Sequence, residues 1–145
     1  MAIQAPRPTA PGTTATGATT AAEHGGGSTS GGSTFLRVSI ALQTLTIFLQ
    51  ALSSGLLMTT SYGEVLHGVG ARVMYGATMI YVLAAVLAWK PGGGSPRPIL
   101  HATGFLVLAS VQVAVGIAHI PAVHLPLGVL MFGLSVLALT LTRRR

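Results

Sequence analysis

Four long apolar stretches, at about 35–59, 64–89, 99–119 and 123–142, organise the chain. Each has roughly the ~20 residues a helix needs to cross a hydrocarbon core of ~30 Å. A lone strand would leave its backbone groups unpaired in lipid, so each stretch is expected to be a helix. The connections are short, which makes successive helices antiparallel neighbours. The expected fold is an all-α integral membrane protein, with four transmembrane helices over 35–142 in an up-down-up-down bundle. Residues 1–34, mostly Ala, Thr, Gly, Pro and Ser, have too little apolar surface to offset their ordering entropy. They are expected to form a disordered cytoplasmic tail, with no apolar run of the kind a cleaved signal peptide carries.

Composition supports the membrane class. Half of the 145 residues are hydrophobic, 7% are charged, and the mean hydropathy is +0.70. Soluble domains carry about a quarter charged residues. The net charge of +6 does not point to nucleic acid, because the basic residues are scattered or lie at span ends. Arg7 and Arg37 precede the first span, Lys90 and Arg97 separate the second from the third, and Arg143, Arg144 and Arg145 follow the fourth. The connections Thr59 to Gly63 and Ile120 to Ala122 hold no Lys or Arg. The positive-inside rule then expects both termini, including the basic end 143–145, on the cytoplasmic side of a plasma (inner) membrane. With no cysteine, disulfides, thiolate metal sites and covalent c-type haem attachment are excluded.

Polar residues inside the spans carry the candidate chemistry. Ser39, Gln43, Thr46, Gln50 and Ser54 recur at steps of three or four, a stripe expected to face other helices. Gln112 and His119 share a face of the third span with Gly116 close by, and His101 projects to that face at the cytoplasmic end. Such stripes often serve only helix–helix hydrogen bonding. The second span opens with Glu64, His67 and Arg72, and ionisable groups at membrane depth call for a reason. On an ideal helix Glu64 and Arg72 are about 80° and ~12 Å apart, too far to pair directly.

His67, His119 and His124 are expected at the outer end of the bundle. His67 and His124 lie on alternate, parallel helices, and two imidazoles facing each other across a four-helix core suit a bis-histidine haem. Arg72 would then suit a haem propionate. Zinc or copper held by His67, His119, His124 and Glu64 uses the same residues. Interfacial histidines flanking a turn at Pro121 are the cofactor-free alternative for His119 and His124.

These residues resemble one half of a haem A synthase. That family has eight membrane helices in two related four-helix halves, with haem-binding histidines on the second and fourth helix of each. The resemblance covers roughly residues 40–135. It rests on Ser54-Gly55-Leu56-Leu57-Met58 in the first helix, Glu64, His67 and Arg72 in the second, Gln112 and Gly116 in the third, and His124-Leu125 in the fourth. Gly68 stands where the family usually has arginine, Ala71 where it has glycine, the first outer loop is short, and the second half is missing. A two-fold homodimer would restore the full architecture, with Gly68, Ala71, Gly76, Gly128 and Gly133 allowing close contact.

The resemblance implies haem b bound by His67 and His124 as iron ligands, with Arg72, Gln112 and His119 around it and Glu64 as a catalytic, proton-handling neighbour. The implied work is electron transfer or haem-linked oxidation near the outer face. Membrane lipid, and a second copy or a larger membrane complex, are the expected partners. The alternative from another class is a cofactor-free accessory subunit of a membrane complex. A transporter ranks third, since little charge lies within the spans.

Overall fold

The structure, a computed structural model, describes residues 28–143. Of the disordered tail expected over 1–34, residues 1–27 lie outside these residues, as do Arg144 and Arg145, and 28–34 are helical instead. Four helices make up the fold: α1 Ser28–Thr59, α2 Gly63–Trp89, α3 Arg97–Ile117 and α4 Pro121–Arg143. All four are long and apolar enough to cross a membrane, and the described residues contain no strand. α1 begins at Ser28, earlier than the span start expected near 35, because the helix runs on through the Ser/Thr/Gly segment ahead of Phe35.

Each helix packs on two others: α1 on α2 and α4, and α3 on α2 and α4. α2 and α4 therefore face each other across the diagonal, as do α1 and α3. Neighbouring helices run antiparallel. Gly32 of α1 approaches Ala88 of α2, while Ser53 at the other end of α1 bonds to His67. Thr44 of α1 meets Ser135 of α4 at 2.6 Å between hydroxyls, and Phe48 packs on Phe132 one turn away.

The centre is built from small and branched residues together. Ala84, Ala85, Ala102 and Ala109 are fully buried, and this lets α2 and α3 approach closely. Tyr81 and Phe105 fill the space between those two helices, with ring centroids 6.2 Å apart. Ile40, Ile47, Met74 and Met131 complete the core. The large apolar side chains left exposed, among them Leu45, Leu52, Leu83, Val107 and Leu137, cover the outside. Such a surface suits contact with lipid tails.

Three connections close the helices. Gly63 sits against the Leu56 carbonyl and Leu57 Cα, so close that no Cβ fits, which allows the tight turn from α1 into α2. After α2 the chain turns through Gly92 and Gly94, whose N–H groups donate to Leu87 and Ala88 carbonyls at 3.1 Å each. α3 stops through a paired closure. The Ile120 N–H donates to the Val115 carbonyl (3.2 Å) and the His119 N–H to the Gly116 carbonyl (3.1 Å). This is the Schellman pattern, and His119 takes its left-handed position at φ 54°. Pro121 then starts α4, where its missing N–H is no loss.

Candidate functional site

α1 presents a polar face to the bundle that differs from the expected stripe at its end. Ser39, Gln43 and Thr46 are buried and Gln50 is half-buried. Ser53 continues the face, at 8% exposure, whereas Ser54 donates to its own helix at the Ala51 carbonyl (2.7 Å). Gly70 of α2 leaves room for the Gln50 amide, which a Cβ there would overlap.

At this end of the bundle all four helices contribute to one constellation. His67 of α2 and His124 of α4 meet across the diagonal with ring centroids 6.0 Å apart and planes at 66°. Both are half-buried. Ser53 of α1 lies 3.0 Å from His67 Nδ1, and its hydroxyl also lies 3.0 Å from the Gln50 carbonyl. The Ser53 hydroxyl thus has two partners at equal distance, and it accepts from His67 Nδ1 or donates to it according to the tautomer of that ring. His124 Nδ1 lies 3.1 Å from the Gln112 backbone carbonyl of α3. A carbonyl can only accept, so His124 carries a proton on Nδ1.

The consequence is chemical. In a neutral His124 ring the proton on Nδ1 leaves Nε2 with an open lone pair, His67 has the same form when its Nδ1 donates to Ser53, and no donor among the described residues bonds to either Nε2. Metal-bound histidines have this form: one nitrogen ligates, and the other donates to an oriented acceptor. Two imidazoles on one metal, with metal–nitrogen bonds of ~2.0–2.1 Å, hold their centroids roughly 6 Å apart. The observed centroid separation is of that order, and the rings approach each other edge-on. A buried acceptor beside the pair, Gln112 Oε1, has no partner among the described residues. The donor set present, two neighbouring imidazoles each backed at Nδ1, is one that could hold a metal-containing group.

Glycines shape the surroundings of His124. A Cβ on Gly116 would come within 3.1 Å of His124 Cε1 and 3.3 Å of Nδ1. One on Gly128 would come within 3.1 Å of Gln112 Nε2. Gly128, expected to serve contact with a second copy, thus faces into the bundle. Gly68, Gly76 and Gly133 have open space where a Cβ would sit.

The other expected site residues stand apart from the pair. His119 is exposed, and its Nδ1 donates to the Ile117 carbonyl at 2.8 Å, within the turn that ends α3. Glu64 and Arg72 are exposed on the first turns of α2, and His101 is exposed near the start of α3. Among the described residues no three His, Asp or Glu side chains converge to hold a metal, so the four-ligand zinc or copper arrangement is not assembled. Ser53, which was not among the expected site residues, is the one whose hydroxyl meets His67 Nδ1.

In comparisons with family models, with curated proteins and with solved structures, the chain matches none.

Proposed function

We propose that this chain is a haem b-binding membrane protein in which His67 and His124 would hold the haem iron, and whose work is one-electron transfer. The observation that carries this reading is the meeting of His67 and His124 across the diagonal, with ring centroids 6.0 Å apart and a hydrogen-bond partner behind Nδ1 of each. Bound haem supplies a one-electron redox centre, its potential tuned by the axial ligands and the hydrogen bonds behind them. Gln112 holds the His124 ring in the tautomer a ligand needs, and Ser53 would do the same for His67 by accepting from its Nδ1. Arg72 would serve a propionate and Glu64 a polar or proton-handling role, both from exposed positions on α2 apart from the histidine pair. The distribution of Lys and Arg supports a plasma-membrane location, with both termini cytoplasmic and the histidine pair toward the outer face. Haem-linked oxidation, the activity implied by the resemblance to haem A synthases, is the second use of the same pair.

An absorption spectrum of protein purified from haem-replete cells tests the reading. A Soret band and a sharp α band on reduction are expected, both lost in His67→Ala and in His124→Ala. A colourless preparation, or spectra unchanged by both substitutions, would transfer the protein to the cofactor-free accessory class.

A further inference from the structure

The end of the bundle remote from the histidines carries a groove of about 390 Å³ between α1 and α4. Thr34, Arg37, Val38 and Ala41 form one wall, on a single face of α1, and Leu139 and Arg143 form the other. The antiparallel register of these helices is set by Thr44 against Ser135 and Phe48 against Phe132. Continued toward the groove, that register sets Ala41 level with Leu139 and Arg37 level with Arg143.

Two arginines thus line one groove at the same level of the bundle. Like charges so placed repel. Glu64 is the only acid among the described residues, and it lies at the opposite end of the bundle. No described carboxylate therefore offsets the pair, and both arginines are exposed to whatever approaches from the interface. The chemistry that satisfies this arrangement is an anion with an apolar tail. A phosphodiester offers oxygens to planar guanidinium donors, and an acyl chain covers Val38, Ala41 and Leu139. We propose that this groove binds one anionic phospholipid, its phosphate between Arg37 and Arg143 and an acyl chain along the apolar walls. The site is independent of the haem reading, since it shares no residue with the histidine constellation.

The test is lipid retention by the full chain, read by native mass spectrometry with phosphatidylglycerol and phosphatidylcholine of identical acyl chains. Unmodified protein should retain phosphatidylglycerol in preference to phosphatidylcholine. Arg37→Gln and Arg143→Gln should each reduce that preference about fivefold, the share of one basic residue at an anionic surface. Ala41→Leu, which narrows the slot and keeps both charges, should reduce retention as well. Lys90→Gln, at the same end but outside the groove, should leave it unchanged. Equal retention of the two lipids by the unmodified protein overturns the proposal, and that comparison needs no variant to fold. A loss in Lys90→Gln equal to that in Arg37→Gln also overturns it, as charge alone would then explain binding. So does full competition by inorganic phosphate with no effect of Ala41→Leu, which would mark a free-anion site.

Discussion

Gln112 grips His124 at two points: its side-chain amide donates to the His124 carbonyl at 2.9 Å, and its own backbone carbonyl accepts from His124 Nδ1 at 3.1 Å. One residue of α3 therefore fixes both the backbone and the ring of a residue on α4. In Gln112→Leu the ring bond remains and the backbone bond is lost. The stability loss should be modest, about 0.6 kcal/mol for an average interhelical hydrogen bond in a membrane. Gly116→Ala should act more strongly on the ring, because the new Cβ needs space that His124 occupies. Haem occupancy by pyridine haemochrome assay should fall further in Gly116→Ala than in Gln112→Leu, while Gly133→Ala, with open space around it, should match the unmodified protein.

Ser53→Ala removes the acceptor behind His67. The Nδ1 proton is left unpaired in a half-buried position, and the ring loses the partner that raises its basicity. Haem affinity should drop about tenfold, the lower end of the usual range for such partners. The midpoint potential should rise, since a less basic ligand stabilises the oxidised iron less. Potentiometric titration of the variant checks the sign; an unchanged or lowered potential would contradict the assigned tautomer.

His119 holds a left-handed backbone position at the end of α3, and glycine adopts that conformation without strain. His119→Gly should stabilise the protein, by up to about 1 kcal/mol. Its visible spectrum should stay as it was, because the ring bonds only within its own turn. Unfolding in mixed micelles reports the first effect, and absorption the second. A shifted Soret band would bring His119 back to the haem.

Gln43 is 1% exposed, and neither its amide nitrogen nor its oxygen has a partner among the described residues. A buried polar group left unpaired destabilises by roughly 1–3 kcal/mol. Methionine keeps the volume and removes both groups, so Gln43→Met should unfold at higher denaturant. A fall in stability instead would show that the amide is satisfied in the membrane.

The four spans were legible because length and apolarity suffice in lipid, where few alternatives to a helix exist. The histidine pair was legible for a similar reason: one turn into alternate helices of a short-loop bundle, His67 and His124 have little choice but to share a level. The residues behind them were harder to find. The polar stripe of α1 advances by alternating steps of four and three through Ser39, Gln43, Thr46 and Gln50, and its next step is Ser53. Choosing Ser54 instead rotates the position by one residue, about 100°, and turns it back onto its own helix. The left-handed turn at His119 was hidden because glycine or asparagine usually occupies that place, although Ile120-Pro121 marked a helix stop. The contact of Gln112 with the His124 carbonyl depends on how far α3 and α4 slide along each other, a quantity absent from any single-helix pattern.

The diagonal placement of His67 and His124 makes their meeting a report on assembly. α2 and α4 share no direct helix–helix contact, so the rings come together only once α1 and α3 have brought both helices into place. A group bridging the two imidazoles would act as a clasp on the closed bundle, and its binding energy would add to folding stability. Colour would then appear last, as a signature of the completed molecule, and mutations far from the histidines that loosen any one helix would bleach it.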